Sequence, residues 1–392
     1  MSLQKNSGAV RRFAKLMKLA AWLQNIPNKI TPPPFRLIQI GSAFWQSRVL
    51  YVATRLDIAS VLADESLAVE AVAARVFAQP DALYRLLRML ASMGIFDEVS
   101  PRVFKNNALS AYLREDNPKN VRALILMHNS IEMSGPWYEQ LEHGVRSGDV
   151  PFQLSHGREL YAYMDDHAEF DALFARAMDS VGALTGDSFA TDFDWRRFDR
   201  IIDVGGSNGS KSLALLKRYP HLTALVFDRN RVVQTAASHW IGKESPTLLS
   251  RLTFQAGDLL DSVPAAKSDK DIYLLSAVLH GMDDANCVKV LRNLSTASAG
   301  TGARIALMEL VVSELSADFS STAFDMQMFM ATRGRERTLS EWQSLFDQSG
   351  LALEELVRLQ SLGKILVLRP KNGISAFQAW ANRLFRLVNQ AG

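Results

Sequence analysis

The chain has 392 residues, a formal net charge of +3, 48% hydrophobic and 22% charged residues. That length suits two domains and that apolar share a filled core, while the near-balanced charge excludes a global nucleic-acid signature. The lone cysteine, Cys287, excludes an intramolecular disulfide and points to a cytoplasmic setting; no apolar run reaches the ~18 residues of a membrane span, and residues 1–10 lack a signal peptide's apolar stretch.

The first segment, residues 1–34, is a basic extension. No Asp or Glu precedes Asp57, whereas Lys5, Arg11, Arg12, Lys15, Lys18 and Lys29 crowd the front. Arg11 to Ile26 reads as a basic amphipathic helix, suited to a membrane surface or, by preference, to a partner subunit. Pro32-Pro33-Pro34 ends it. Phe35 to Leu62 is helical by its apolar spacing. Leu67 to Val76 and Asp81 to Met93 predict two short helices about Gln79-Pro80, and Gly94 ends the second. Ile95 to Glu98 and Val103 to Lys105 predict a hairpin, followed by Leu109 to Leu113. Residues 35–115 therefore have a winged-helix outline. A DNA-binding regulator would share it. Its second helix, however, carries Leu86, Leu87, Leu90 and Met93 beside Arg85 and Arg88, too apolar for a groove that needs polar base readers and phosphate-binding cations. Burial against another chain explains it better, and no nucleic-acid partner is expected.

Residues 116–190 read as all-helical from Asn117 to Gly182. Phe170, Phe174 and Met178 recur every four residues, a stripe that core packing alone explains. Beyond Asp194 the pattern becomes α/β. Strands are predicted at Arg200–Val204, Thr223–Asp228, Leu252–Gln255, Asp271–Leu275, Arg304–Met308 and Lys364–Leu368. Helices are predicted at Ser210–Tyr219 and near Val232–Ile241, Asp284–Asn293 and Ser340–Ser349. Such alternation predicts a mostly parallel sheet over residues 191–370. Ile374 to Val388, in the tail 371–392, reads as one more amphipathic helix.

The glycine cluster after the first of these strands carries the chemistry. Ser207 stands where a dinucleotide G-x-G-x-x-G requires glycine. What remains, Asp203-x-Gly205-x-Ser207-x-Gly209, is close to the D-x-G-x-G-x-G of S-adenosylmethionine enzymes. Asp228 follows about 20 residues later, the spacing of a carboxylate that accepts ribose hydroxyls. Asp258, in Gly257-Asp258-Leu259, suits an adenine amino group with Leu259 against the ring, or equally a helix cap. His280 stands just past a buried strand, where ligands of such sheets bind. An imidazole titrates near neutrality and can accept a proton, although a lone histidine in such a place is more often structural. Glu309, ending the next strand, and Glu336, in a polar turn, favour the chemical reading. Flanking carboxylates would orient the ring and stabilise its protonated form.

On these residues the chain resembles the plant caffeic acid type of O-methyltransferase and its bacterial small-molecule relatives, over nearly all of its length beyond Phe35. The matching motifs are Leu50-Tyr51-Val52-Ala53, Trp137-Tyr138, Pro151-Phe152 with Gly157, the Phe170/Phe174/Met178 stripe, Val204-Gly205-Gly206, Gly257-Asp258, Leu279-His280 and Gly334-Arg335-Glu336-Arg337-Thr338. The resemblance implies a mostly helical N-terminal winged-helix dimerisation domain, hence a homodimer. It also implies a C-terminal α/β domain, Rossmann-like and of methyltransferase class I. S-adenosylmethionine would be the methyl donor, S-adenosylhomocysteine (SAH) the product, and a hydroxyl of an aromatic or polyketide-like molecule the acceptor, with no metal required. His280 would take the hydroxyl proton, flanked by Glu309 and Glu336. Asp203, Gly205, Gly206, Ser207, Asp228, Arg229, Gly257, Asp258, Leu259 and Ser276 fall on cofactor-binding positions. Met127, His128, Phe174, Met178 and Met328 fall on substrate-lining ones. Three departures stand out: Ser276 replaces a lysine of the plant members, Gly281 an aspartate and Met282 the tryptophan that covers the adenine. C- or N-methylation, and the non-methylating hydroxylases, decarboxylases and pericyclases related to this family, are the alternatives.

Overall fold

The computed structural model describes residues 30–361 and 363–371, with Arg12, Lys15, Leu16 and Leu19 ahead of them. The basic helix expected at Arg11 to Ile26, those positions apart, and the helix expected at Ile374 to Val388 lie outside the described residues. Among the described residues two compact units are present, the first running to residue 186 and the second from residue 187 to 371. The stretches 35–115 and 116–190, read separately in the sequence, thus fall in one unit up to residue 186.

The first unit opens with α1 (Pro33–Gly41), α2 (Phe44–Arg55) and α3 (Ile58–Leu62). The single helical stretch expected here is broken at Ser42 and at Asp57, whose φ of 54° is left-handed. Then come β1 (Leu67–Ala68), α4 (Val69–Arg75), α5 (Pro80–Ser92), β2 (Phe96–Ser100) and β3 (Val103–Asn106). Pro80 pre-sets the first turn of α5, and the Gln79 side chain accepts the Ala82 N–H at 2.7 Å. Leu83, Leu87 and Leu90, spaced by four and three, are buried on one face of α5 within the core that also holds Phe96 and Phe104. The three strands form an antiparallel sheet in the order β1-β3-β2, one strand more than the hairpin expected. By contrast α1 buries nothing, and Phe35, Leu37, Ile38, Ile40, Phe44 and Trp45 are all exposed. A groove of about 480 Å³ lies in the same unit, lined by Leu50, Ile95, Leu109, Tyr112, Val121 and Ile125 among others.

The region read as continuously helical is six helices: α6 (Arg122–His128), α7 (Ile131–Glu139), α8 (Leu141–Ser147), α9 (Pro151–His156), α10 (Leu160–Asp166) and α11 (Ala168–Thr185), with α11 packed along α6.

The second unit begins with α12 (Ser188–Asp192) and is built on a seven-stranded sheet. Its strands are β4 (Arg200–Val204), β5 (Thr223–Asp228), β6 (Leu252–Ala256), β7 (Asp271–Ser276), β8 (Arg304–Glu309), β11 (Leu351–Arg358) and β12 (Lys364–Pro370). Their order is β11-β12-β8-β7-β4-β5-β6; the last five run parallel and the first two form an antiparallel edge. Between them run α13 (Ser210–Arg218), α14 (Asn230–His239), α15 (Pro246–Leu249), α16 (Asp284–Ala297), α17 (Phe319–Ala331) and α18 (Leu339–Gln348). A parallel pair of two-residue strands, β9 (Val311–Val312) and β10 (Arg337–Thr338), stands beside the sheet. Strand alternation sorts the core. Ile202, Tyr273, Leu275 and Leu307 face α16 and α18, while Ile201, Ile272 and Leu274 face α13. The chain starts at β4, steps outward to β5 and β6, then returns to β7 on the other side. The crevice at the carboxyl ends of β4 and β7 is therefore the switch point where open α/β sheets bind ligands.

Candidate active site

The cofactor positions read from the sequence gather on that edge. Gly205, at a φ of 72°, turns the chain sharply after β4, and a Cβ there would fall 2.8 Å from Val278 Cγ2. The glycine turn thus rests on the loop that follows β7. Ser207 also takes a left-handed φ, 54°. Its N–H donates to Asp228 Oδ2 at 2.8 Å, and the Arg229 N–H donates to Oδ1 at 2.7 Å. Asp228 therefore staples the glycine turn to the end of β5, and each oxygen keeps a lone pair for a further donor. Asp203 differs from the expectation of a ligand contact. It is buried beneath Gly206, accepts the Ser212 hydroxyl at 2.6 Å, and burial pushes its carboxyl up to about 6. It braces the turn: both faces of β4 are buried, and Asp203 shares with Ile201 the face covered by α13, where Ser212 lies.

At the end of β6, the Gly257 N–H donates to the Asp228 carbonyl at 3.0 Å. Asp258 is exposed, with Oδ1 accepting the Leu260 N–H at 2.8 Å, the turn-capping arrangement. Leu259 is half-buried, its carbonyl accepting from Asn293 Nδ2 at 2.9 Å. Ser276 ends β7 half-buried, and Arg229 is exposed at the start of α14. Such residues fit an adenosyl cofactor: a glycine-rich turn at a helix start, with carboxylates at the next two strand ends.

A second group forms just past β7. The turn Leu279–Gly281 presents His280, half-buried. Because β8 lies directly beside β7, Glu309 at its end reaches under that turn, where its Oε1 accepts the Val278 and Leu279 N–H groups at 3.1 and 3.0 Å. Glu336 comes from the segment between α17 and β10. Its own N–H donates to Asp325 Oδ1 at 2.8 Å, and its Oε1 lies 2.7 Å from His280 Nδ1. That contact places the ring proton on Nδ1 and leaves Nε2 as the acceptor. Burial pulls the His280 imidazole down, but the bond to Glu336 and the Glu309 charge outweigh it and hold the value above the ordinary 6.5. Burial pushes the Glu309 carboxyl up, against the opposing pull of the imidazole. Both carboxylates are almost fully buried, and among the described residues Oε2 of each meets no donor. An unpaired buried acceptor of this kind costs about 1–3 kcal/mol.

Two residues that the sequence reading left without a role hold this cluster together. Gly334 lies flat against the His280 turn: a Cβ there would fall 1.9 Å from the His280 carbonyl oxygen. Arg337 is 1% exposed and clamps the same turn. It donates to the Met282 carbonyl at 2.9 Å, to the Leu279 carbonyl at 3.3 Å and to Asp284 Oδ1 at 2.7 and 2.9 Å. The signal was present in Arg335-Glu336-Arg337-Thr338, but only the fold shows which arginine turns inward.

The substrate-lining positions fall on three helices. In the first unit, Met127 is buried on α6 with His128 exposed beside it, while Phe174 is half-buried on α11 and Met178 exposed one turn later. In the second unit, Met328 is half-buried on α17, one turn beyond the Asp325 that holds Glu336.

Known proteins carry the same arrangement of domains. Residues 38–116 match the O-methyltransferase dimerisation domain, and residues 138–352 match the O-methyltransferase domain. The phenazine O-methyltransferase of Lysobacter antibioticus is 32% identical over 338 residues, 85% of this chain and 95% of that one. The mitomycin biosynthesis 6-O-methyltransferase of Streptomyces lavendulae is 30% identical, over 79% of this chain and 86% of its own length. Among solved structures, the methyltransferase of calicheamicin biosynthesis in its SAH-bound form superposes with a TM-score of 0.75 at 29% identity, covering 86% of this chain and 98% of that one. With its glycine turn, its histidine between two glutamates and its helical winged N-terminal unit, the chain belongs to the S-adenosylmethionine-dependent O-methyltransferases.

Proposed function

We propose that this enzyme methylates a hydroxyl of an aromatic or polyketide-like small molecule, with His280 as the general base. The observation that carries the reading is the 2.7 Å bond between His280 Nδ1 and Glu336, which leaves Nε2 free to accept a proton. The cofactor would be held by the glycine turn, Asp228, Asp258 and Leu259, and its sulfonium supplies an already activated methyl carbon. What the protein must add is alignment and a more basic oxygen. A phenol of pKa about 10 is almost wholly protonated at neutral pH, so a base is useful. Nε2 takes the hydroxyl proton as the oxygen forms its bond to carbon, and Glu336 and Glu309 stabilise the imidazolium that results. Proton removal of this kind contributes about 10²–10⁴-fold.

Met127, His128, Phe174, Met178 and Met328 are the residues we assign to the acceptor. The aromatic preference is supported by the phenazine and mitomycin enzymes among the relatives. The dimerisation domain supports a homodimer. A cytoplasmic location rests on the single cysteine. Mass spectrometry tests the activity, using the purified enzyme, S-adenosylmethionine and a panel of phenols, hydroxyquinones and matched arylamines. A gain of one methyl on hydroxyl acceptors is expected; a gain confined to the amines would reject hydroxyl transfer.

A further inference from the structure

We propose that His280, Glu309 and Glu336 form an inhibitory site for zinc and similar transition-metal ions. The binding site stands on geometry alone; the inhibition also rests on His280 being the base.

The three side chains offer one imidazole nitrogen and two carboxylate oxygens, all within 4.8 Å of one another, and no other such group of three is found among the described residues. Zinc bonds to nitrogen and oxygen are about 2.0–2.2 Å, which sets tetrahedral ligand atoms roughly 3.3 Å apart. That spacing lies between the 2.7 Å of the His280–Glu336 pair and the 4.8 Å that bounds the whole set, so small side-chain shifts close the site. Three protein ligands with a fourth position open is how zinc sites that keep a water are built.

The carboxylates supply the second observation. Glu309 and Glu336 are 2% and 3% exposed, and Oε2 of each is buried without a donor among the described residues. Each therefore carries an acceptor that a cation entering the cluster would satisfy. The nearby cation, Arg337, has its donors committed to carbonyls and Asp284. The neighbouring Cys287 thiol donates to the Leu279 carbonyl, and burial pushes it up to about 12, so it is no competing thiolate. Magnesium and calcium prefer more numerous oxygen ligands in wetter sites, whereas an imidazole with carboxylates suits zinc, cobalt, nickel and copper.

Either mode of binding removes the base. A metal on Nε2 occupies the lone pair that would receive the substrate proton. A metal on Nδ1 displaces the proton there, and the neutral ring must then carry it on Nε2, which becomes a donor. The metal is not a catalytic participant in this account; it competes with the proton.

Cobalt(II) titrated into the metal-stripped full-length enzyme tests the site, read by visible absorption and by calorimetry. One equivalent with the strong bands of four-coordinate cobalt, displaced by zinc, is expected. His280→Ala and Glu309→Gln, each checked for folding by circular dichroism, should weaken binding at least ~10-fold, the scale for losing a metal-site partner. Cys287→Ser should leave it unchanged. Absence of binding at millimolar cobalt, or equal binding by the His280 and Glu309 variants, overturns the proposal. If either variant fails to fold, Glu336→Gln replaces it in the same comparison. Zinc should also abolish methyl transfer, with recovery on adding a chelator and no effect of magnesium. Stoichiometric binding that is lost in the variants yet leaves turnover intact would sink the base assignment and spare the site.

Discussion

On the proposed reading, His280 is the side chain on which turnover depends most directly. Replacing it with alanine should lower kcat at least ~10²-fold on a matched hydroxyl substrate, the usual scale for losing a general base. Its pH behaviour follows from its surroundings. The Glu336 bond and the Glu309 charge hold the folded imidazole above 6.5 despite burial, and the protonated ring cannot act as a base. The acid limb of kcat/KM should therefore fall as pH drops through a value above 6.5. Glu336→Gln keeps an acceptor for Nδ1 but removes the carboxylate charge that favours the imidazolium, so a pH–rate series should show that limb moved to lower pH; an unmoved limb would mean that Glu336 does not set it. On the cofactor side, Asp228→Ala takes away both the staple on Ser207 and the acceptor proposed for the ligand. Calorimetry should show S-adenosylmethionine binding weakened by about 1–3 kcal/mol.

The element that matters most is the turn after β7, because its backbone is held from three sides. Glu309 receives two of its N–H groups, Arg337 binds two of its carbonyls, and Gly334 lies against it. Arg337→Met should take the guanidinium donor from the Met282 carbonyl, while the Leu279 carbonyl keeps the Met282 N–H and the Cys287 thiol, and lower the urea midpoint by an equivalent of about 1–3 kcal/mol, the cost of a buried acceptor left unpaired. Arg337→Lys should recover only part of this, because an ammonium cannot reproduce the planar fork of donors. Glu336 is fixed in turn by its neighbours: Asp325 of α17 takes its N–H, and the Thr338–Glu341 capping box starts α18 two residues later. β11 shows how little an element's own residues can say. Leu351-Ala352-Leu353-Glu354-Glu355-Leu356 carries helix-favouring residues, and no strand is read there from the sequence. It is a strand because the exposed edge of β12 pairs with it, from Leu351↔Pro370 to Arg358↔Lys364, and strand preference depends strongly on such a partner.

Across the chain, two units of different character share one enzyme. The second unit has a core on each face of its sheet. The first leaves an apolar helix uncovered: α1 has no buried residue, and the exposed Phe44 and Trp45 of α2 follow it. Surface of that kind on a dimerisation domain is what a second copy would cover. Ile38→Asp combined with Trp45→Glu should shift the protein from dimer to monomer in light scattering, with the far-ultraviolet circular dichroism of the fold retained. An unchanged mass would place the dimer contact elsewhere.

Local chemistry made the architecture readable without coordinates. Apolar periodicity separates strands from helices, glycines must sit where the backbone turns left-handed, and a histidine just past a buried strand falls on the ligand edge of an α/β sheet. The winged-helix outline, the parallel core strands, the glycine turn and the trio of His280, Glu309 and Glu336 all follow from such short-range rules together with the family resemblance. Only folding could pair His280 with Glu336, 56 positions away, seat Glu309 beneath the turn by laying β8 against β7, turn Asp203 inward and choose Arg337 as the clamp. Those outcomes depend on which strands become neighbours and which side chains lose water. Both are properties of the packed sheet, and no single segment carries them.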